Sequence, residues 1–227
     1  MMRVLCFLSL LTLGACAVRA DQYWIAWEGT ELPEVQGPWL RSLGYGGAKR
    51  TINNGILTYD SLHNINIWDY SYIERQRKID PGPGEMFVME WRLRVRKVIG
   101  DADPTTSVAS DEAWMVGFAY AEDRIFSVFE NFLEIPIEPG RMHEYRLLST
   151  DMRAYDLFID GGLVRRGAFS KRITSSYVGW GDGVQGAASL HEWDYFRFGV
   201  IPEPATGVSL AVPFLACVVG ANRRVSP

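Results

Sequence analysis

Two glutamates in the second half of the chain have the residue type that acid–base hydrolysis of a sugar bond requires. Glu134 and Glu138 flank Ile135-Pro136-Ile137, so both would face one side of an extended strand. A retaining glycosidase holds its two carboxyl groups about 5–5.5 Å apart, whereas four residues of strand span about 13 Å. Pro136 stands where a third acid could have tuned both. We therefore predict two solvated acids beside an edge-strand proline, and no catalytic residues.

Aromatic side chains next to polar ones are the candidates for a binding role. Sugar rings present apolar C–H faces that stack on Trp and Tyr, while their hydroxyl groups bond to polar side chains. Trp68 and Tyr70 follow two asparagines, and Trp180 stands close to Asp182. We predict a carbohydrate-binding site from Trp68, Tyr70, Trp180 and Asp182, with core packing of each tryptophan as the alternative.

The side chains that could bind a metal are scattered. The three histidines, His63, His143 and His191, have no spacing that places two ligands on one face, so we predict no metal site from them. Calcium needs several oxygen ligands that converge from loops. Six aspartates could supply some of these ligands: Asp60, Asp69, Asp101, Asp103, Asp160 and Asp182. We predict no cofactor, and the sequence leaves calcium open.

Strands must position these candidates, because alternation with period two recurs along the chain and helical periodicity does not. In segment 87–96 the odd-numbered residues are apolar, and the even-numbered ones after Val88 are Glu or Arg. Period two predicts one buried face and one solvated face. We expect Phe87, Met89, Trp91, Leu93 and Val95 to be buried, and Arg92 and Arg94 to point away from the core. The ladder of Arg92, Arg94 and Arg96 could also grip an acidic polysaccharide.

Similar runs and the turns between them predict the fold class. Strands are expected at 56–59, 65–73, 114–120, 125–132, 145–148, 155–159, 175–180 and 193–198. Turn residues separate most of them, at 81–84, 139–140, 160–162 and 181–183. About ten short strands in one disulfide-free domain predict an all-β sandwich.

The later strands resemble a known family. Segment 155–164, with its Asp160-Gly161 turn, is similar to a hairpin of the concanavalin A-like jelly rolls, which include laminin G-like and pentraxin-like domains. Segments 178–183 and 193–198 resemble the closing strands of that superfamily. The resemblance implies a concanavalin A-like jelly-roll β-sandwich of the lectin and glucanase type. Laminarinase-type glucanases of this fold carry Glu-Ile-Asp-Ile-Glu on a strand, and this chain has Pro136 in place of the middle acid.

The N-terminal residues indicate export. Arg3 precedes an apolar stretch from Val4 to Leu13, and Val18-Arg19-Ala20 offers small residues to a signal peptidase, so residues 1–20 are predicted to be a signal peptide. Alternatively, the residues before Cys16 resemble a lipobox, in which Cys16 would be lipidated. Residues 21–201 contain no cysteine, and a chain of this length can fold as one domain on its core alone.

Residues 202–227 have the pattern of a sorting tail. Pro202-Glu203-Pro204 precedes an uncharged, mostly apolar run from Ala205 to Ala221, and Arg223 and Arg224 follow it. Such a run is near the lower limit of about 17 residues for a membrane-spanning helix, and the arginines favour the cytoplasmic side. The pattern resembles the PEP-CTERM tails of bacterial exported proteins. This resemblance implies processing by an exosortase-type enzyme, transient anchoring by a transmembrane helix, and a final place at the cell surface or in the extracellular matrix.

Charge excludes one class of partner. The chain has a formal net charge of −4 at pH 7, whereas a nucleic-acid-binding protein needs a basic surface. We therefore expect an exported, non-catalytic surface or matrix protein that binds polysaccharide. The alternatives are a glycoside hydrolase or lyase on the same jelly-roll fold, and a structural spacer with no small ligand.

Overall fold

Short strands dominate the computed structural model, which describes residues 23–74, 79–130, 133–172 and 174–203. In chain order the elements are β1 (Ile25–Trp27), α1 (Pro33–Gln36), β2 (Leu40–Gly44), β3 (Lys49–Asn53), β4 (Ile56–Asp60), β5 (Trp68–Glu74), β6 (Glu85–Gly100), β7 (Thr105–Asp111), β8 (Trp114–Tyr120), β9 (Arg124–Ser127), β10 (Glu134–Pro136), β11 (His143–Ser149), β12 (Ala154–Ile159), β13 (Gly162–Ala168), β14 (Ser170–Lys171), β15 (Ser176–Asp182) and β16 (Ala187–Pro202). The all-β prediction is confirmed.

The strands form two antiparallel sheets. The first sheet has the order β13-β12-β11-β6-β16-β4-β3, with β1 beside β16, and the second has the order β10-β9-β8-β7-β15-β5-β2, with β14 beside β8. Some neighbours are consecutive strands, as in β11-β12-β13 and β7-β8-β9-β10, whereas β6 beside β16 and β7 beside β15 bring distant parts of the chain together. This is the arrangement of a jelly-roll sandwich, in which the two inner faces form the core.

The central strand β6 has the faces that its alternation predicts. Phe87, Met89, Trp91, Leu93 and Val95 are all buried. The Trp91 ring stacks on Tyr145 of β11, with 5.5 Å between ring centroids. The side chains of Arg92 and Arg94 form ion pairs on the opposite face. This part of the sequence prediction is confirmed.

Several strands differ from their predicted limits. Residues 114–120 form β8 as predicted, but β9 ends at Ser127, and β7 was not predicted. The inward residues of β7 include the small Ser107 and Ala109, and the Ser107 hydroxyl bonds to the Tyr120 hydroxyl at 2.6 Å. The predicted turn at 181–183 is wrong, because β15 continues through Asp182.

The C-terminal strand reaches one residue into the predicted sorting motif. Pro202, the last residue of β16, pairs with Glu85 of β6, and the Glu203 N–H donates to the Gly84 carbonyl at 2.8 Å. The predicted signal peptide at 1–20, the alternative at Cys16, and the tail from Pro204 to Arg223 and Arg224 lie outside the described residues. Within the described part of the chain, no helix has the length and apolar character needed to cross a membrane.

Candidate functional site

Trp180 lies in the centre of the core. Its side chain is 0 % exposed, and its ring lies within 4.8–5.3 Å, centroid to centroid, of Trp193, Trp27 and Phe196. The prediction that Trp180 contacts a sugar is therefore wrong. The strand β15 continues through Asp182 where a turn was predicted, so Trp180 faces inward like Val178, two residues before it.

Asp182 is also buried, on the inward side of β15. The Ser61 hydroxyl donates to its Oδ2 at 2.7 Å, and burial raises the pKa of the carboxyl group to about 7. Its partner across the strands, Asp69, is held by Arg41 at 2.6 Å and by Arg50 at 3.8 Å. Asp182 cannot reach a ligand on the surface, so its predicted binding role is also wrong.

Trp68 and Tyr70 lie together on the outer face of the second sheet. They line a depression of about 280 Å³ with Thr106, Val108, Phe129 and Tyr177. A neighbouring depression of about 240 Å³ is lined by Ser42, Trp68, Tyr70, Tyr72, Ser175 and Tyr177. Because Trp68, Tyr70 and Tyr177 border both, the two depressions form one surface with a ridge between them. We call this surface the aromatic groove.

Glycines let the rings of the aromatic groove lie flat on the sheet. A Cβ atom at Gly179 would lie 2.3 Å from the Tyr70 ring, and one at Gly117 would lie 2.8 Å from the Phe129 ring. Both rings therefore occupy space that a side chain would fill in an ordinary strand. The sequence prediction missed Tyr72, Phe129 and Tyr177, although the alternation of Trp68, Tyr70 and Tyr72 was a sign of one aromatic face.

The aromatic groove carries no formal charge of its own. Among the described residues that line it, none has a charged side chain. Burial raises the pKa of Tyr70 and Tyr177, so both phenols stay neutral near pH 7. Beside the groove, the guanidinium of Arg172 lies over the Phe129 ring at 4.5 Å from its centroid.

The arginine ladder of β6 lies on the outer face of the first sheet and is neutralised there. Arg92 contacts Asp194, and both Arg94 and Arg96 contact Glu192 on β16. Nearby, Glu90 is buried between Arg146 and Arg197. An acidic polysaccharide would have to displace these acids, so the structure gives no support to the predicted grip on such a chain.

The two glutamates with possible acid–base chemistry lie away from the aromatic groove. Glu134 and Pro136 belong to β10, the edge strand of the second sheet, and Glu134 is exposed. The Glu138 side chain is 67 % exposed and contacts Arg141 at 3.3 Å. Their predicted placement as exposed acids at an edge-strand proline is confirmed.

The predicted metal-ligand types are not gathered into a site. His143 bonds to Asp160 at 2.8 Å, and His191 is buried, where desolvation lowers its pKa to about 3. Asp60 accepts a backbone N–H, and His63 is exposed. Within the described ranges, no three His, Cys, Asp or Glu side chains are arranged to hold a metal ion.

Comparison with known proteins gives the fold. No protein-family model and no curated protein matches the chain. The globular domain of T. cruzi calreticulin is similar at 11 % identity, with a TM-score of 0.52 over 78 % of this chain and 88 % of that one. The binding domain of botulinum neurotoxin DC, solved with rat synaptotagmin II, is similar at 8 % identity, with a TM-score of 0.50 over 81 % of this chain.

A third similar structure is the endo-1,3-beta-glucanase from Streptomyces sioyaensis, at 14 % identity and a TM-score of 0.47 over 73 % of this chain and 90 % of that one. The chain spans about half the length of the botulinum toxin domains that it matches, 48 % in the case above. At these identities the similarities concern the fold alone, a jelly-roll β-sandwich.

Proposed function

We propose that this protein is an exported, non-catalytic surface or matrix protein that binds polysaccharide in the aromatic groove. The observation that carries the proposal is the ridge of Trp68, Tyr70 and Tyr177 between two depressions. Aromatic faces match the C–H faces of sugar rings, and the hydroxyls of Ser42, Thr106 and Ser175 match sugar hydroxyl groups.

The finer family assignment and the export route belong to the same proposal and rest on sequence. We propose a concanavalin A-like member of the jelly-roll sandwiches, a signal peptide at 1–20, or lipidation at Cys16, and a PEP-CTERM-like tail at 202–227. An exosortase-type enzyme would process the tail after transient membrane anchoring, and the protein would reach the cell surface or the matrix. The proposal includes no cofactor and no nucleic-acid partner.

Glycan retention by the full-length protein tests the binding role. We expect polysaccharides on an array or in an affinity gel to retain the protein, and we expect Trp68→Ala to weaken retention by about 2- to 12-fold, the equivalent of 0.5–1.5 kcal/mol for one aromatic contact. Leu163→Ala is the control, because Leu163 is 45 % exposed on the other sheet. Equal retention of both variants would contradict the proposal.

A further inference from the structure

We infer that the aromatic groove selects uncharged, extended polysaccharide chains and excludes acidic ones. This inference rests on the proposed polysaccharide binding and adds the chemical class of the ligand. Two features of the groove support it: no charged side chain among the described residues that line it, and its division into two compartments by Trp68, Tyr70 and Tyr177.

The side chains that line the aromatic groove are apolar or neutral. A carboxylate or sulfate that left water for this groove would find aromatic rings, Val108 and neutral hydroxyls, and no cation among the described lining residues. An ion that is desolvated without a partner is strongly disfavoured. An uncharged sugar loses only hydroxyl hydration, which Ser42, Thr106 and Ser175 can replace. The lining therefore favours neutral sugars.

The described arginines close to the groove and on the other sheet already have partners. The Arg172 guanidinium makes a cation–π contact with the Phe129 ring, at 4.5 Å from its centroid. The arginines of β6 lie on the other sheet, and their ion pairs with Asp194 and Glu192 hold them there. The chain as a whole is acidic, with a net charge of −4, so its long-range field repels a polyanion.

The aromatic groove crosses five strands of the second sheet. Its lining residues run from Ser42 of β2, through β5, β15 and β7, to Gly117 of β8. Four steps between neighbouring strands correspond to about 19 Å. A single sugar can occupy one compartment only, whereas an extended chain can contact Phe129 on one side and Tyr72 on the other. The ridge of Trp68, Tyr70 and Tyr177 would then lie under the middle of the polysaccharide chain.

Affinity electrophoresis of the full-length protein tests the charge selection. The gels would contain laminarin or hydroxyethylcellulose as uncharged chains, and alginate or polygalacturonate as acidic ones, at low and high salt. We expect retention by an uncharged chain, no change of that retention with salt because no ion pair is involved, and weakening of it by about 2- to 12-fold in Trp68→Ala. Circular dichroism of each variant checks that the fold is kept.

The possible failures are distinguishable. Retention by an acidic chain alone, lost in Trp68→Ala, would overturn the charge selection and leave the proposed binding role intact. Acidic retention that survives Trp68→Ala and disappears at high salt would place binding elsewhere and overturn both. The absence of retention by every chain would also overturn both.

Two further variants sharpen the test. Thr106→Lys places a cation in one compartment, so we expect it to gain retention by alginate, whereas Leu163→Lys, the matched change on the other sheet, should not.

Competition between sugars of different length tests the two compartments. An oligosaccharide that spans both compartments should compete better than its monosaccharide by about 2- to 12-fold, the value of one more aromatic contact. Equal competition by the two sugars would contradict the two-compartment groove.

Discussion

The outer faces of the two sheets have opposite chemistry. On the first sheet, arginines and acids alternate between β6 and β16, and Arg92, Arg94 and Arg96 each contact an acid. On the second sheet, the corresponding positions hold aromatic rings, glycines and hydroxyls. The charged face satisfies its own charges, while the aromatic face leaves ring surfaces open to solvent. The face with fewer charges is therefore the better candidate for binding.

The same contrast holds for two buried acids. Burial would raise the pKa of Glu90 on the first sheet, but the Tyr23 hydroxyl and the guanidinium groups of Arg197 and Arg146 lower it below the ordinary value. Asp182, beneath the second sheet, has a hydroxyl partner in Ser61 and the negative Asp69 nearby, and burial raises its pKa to about 7. The surroundings of Glu90 stabilise its ionised form, whereas the surroundings of Asp182 stabilise its protonated form.

The largest expected effect separates the inner and outer faces of the second sheet. Trp180→Ala removes a fully buried indole from a cluster of aromatic rings. We expect the free energy of unfolding to fall by about 3–5 kcal/mol, because the cavity cannot collapse completely. Urea denaturation followed by circular dichroism measures the change.

Trp68→Ala is the matched control on the outer face. Trp68 is 36 % exposed, and surface substitutions usually change stability by no more than about 0.5 kcal/mol. Equal destabilisation by the two variants would mean that Trp68 belongs to the core and that the aromatic groove is structural.

The fold could be predicted from the sequence where one strand shows both of its faces in its own residues. Segment 87–96 alternates between apolar and charged residues, and its inward and outward sides follow directly. Segment 114–120 is apolar at every position except Gly117 and forms β8. By contrast, β7 was missed because its inward positions include the polar Ser107, whose hydroxyl bonds to Tyr120 of the neighbouring strand β8, and this contact hides the apolar alternation.

The candidate site could be predicted only in part, for a related reason. Trp68 and Tyr70 were identified from their own neighbourhood, but Phe129 and Tyr177 reach the groove through the order of strands in the sheet. Local sequence also misplaced Trp180, because Gly179 and Gly181 hide the alternation of β15. Those glycines resemble turn residues, yet Gly179 is needed to give room to the Tyr70 ring.

The second prediction uses the buried acid of the second sheet. Asp182 has a folded pKa of about 7, against an ordinary value of 3.8 for an exposed aspartate, so the folded state favours the protonated form. Its contribution to stability is full below about pH 4 and is lost as pH rises toward 7. We expect Asp182→Asn to stabilise the protein at pH 8 by on the order of 2–4 kcal/mol, measured by urea denaturation.

The pH of this comparison matters, because His191 titrates in the opposite sense. Burial lowers the folded pKa of His191 to about 3, so its contribution is lost as pH falls below about 6.5. At pH 8 the imidazole is neutral in both states and does not disturb the measurement. If Asp182→Asn is destabilising at pH 8 and has the pH dependence of the parent protein, Asp182 is ionised in the fold and the contrast with Glu90 is wrong.

A smaller effect than that of Asp182→Asn is expected from the same change, an acid to its amide, at Glu90 on the first sheet. The pKa of Glu90 is lowered in the fold, so its stabilising contribution is present at neutral pH and is lost as pH falls through the acidic range. Glu90→Gln would leave Arg146 and Arg197 without their shared acid. Because both arginines are partly exposed and can regain water, we expect a loss of only about 1–3 kcal/mol at pH 7. Glu138→Gln, at an exposed ion pair with Arg141, should change stability by less than about 1 kcal/mol.

The signs of the changes in unfolding free energy decide the comparison of the two buried acids. Opposite signs for Glu90→Gln and Asp182→Asn would follow from the arginine partners at Glu90 and their absence at Asp182. Equal signs would show that burial alone decides the ionisation of both acids.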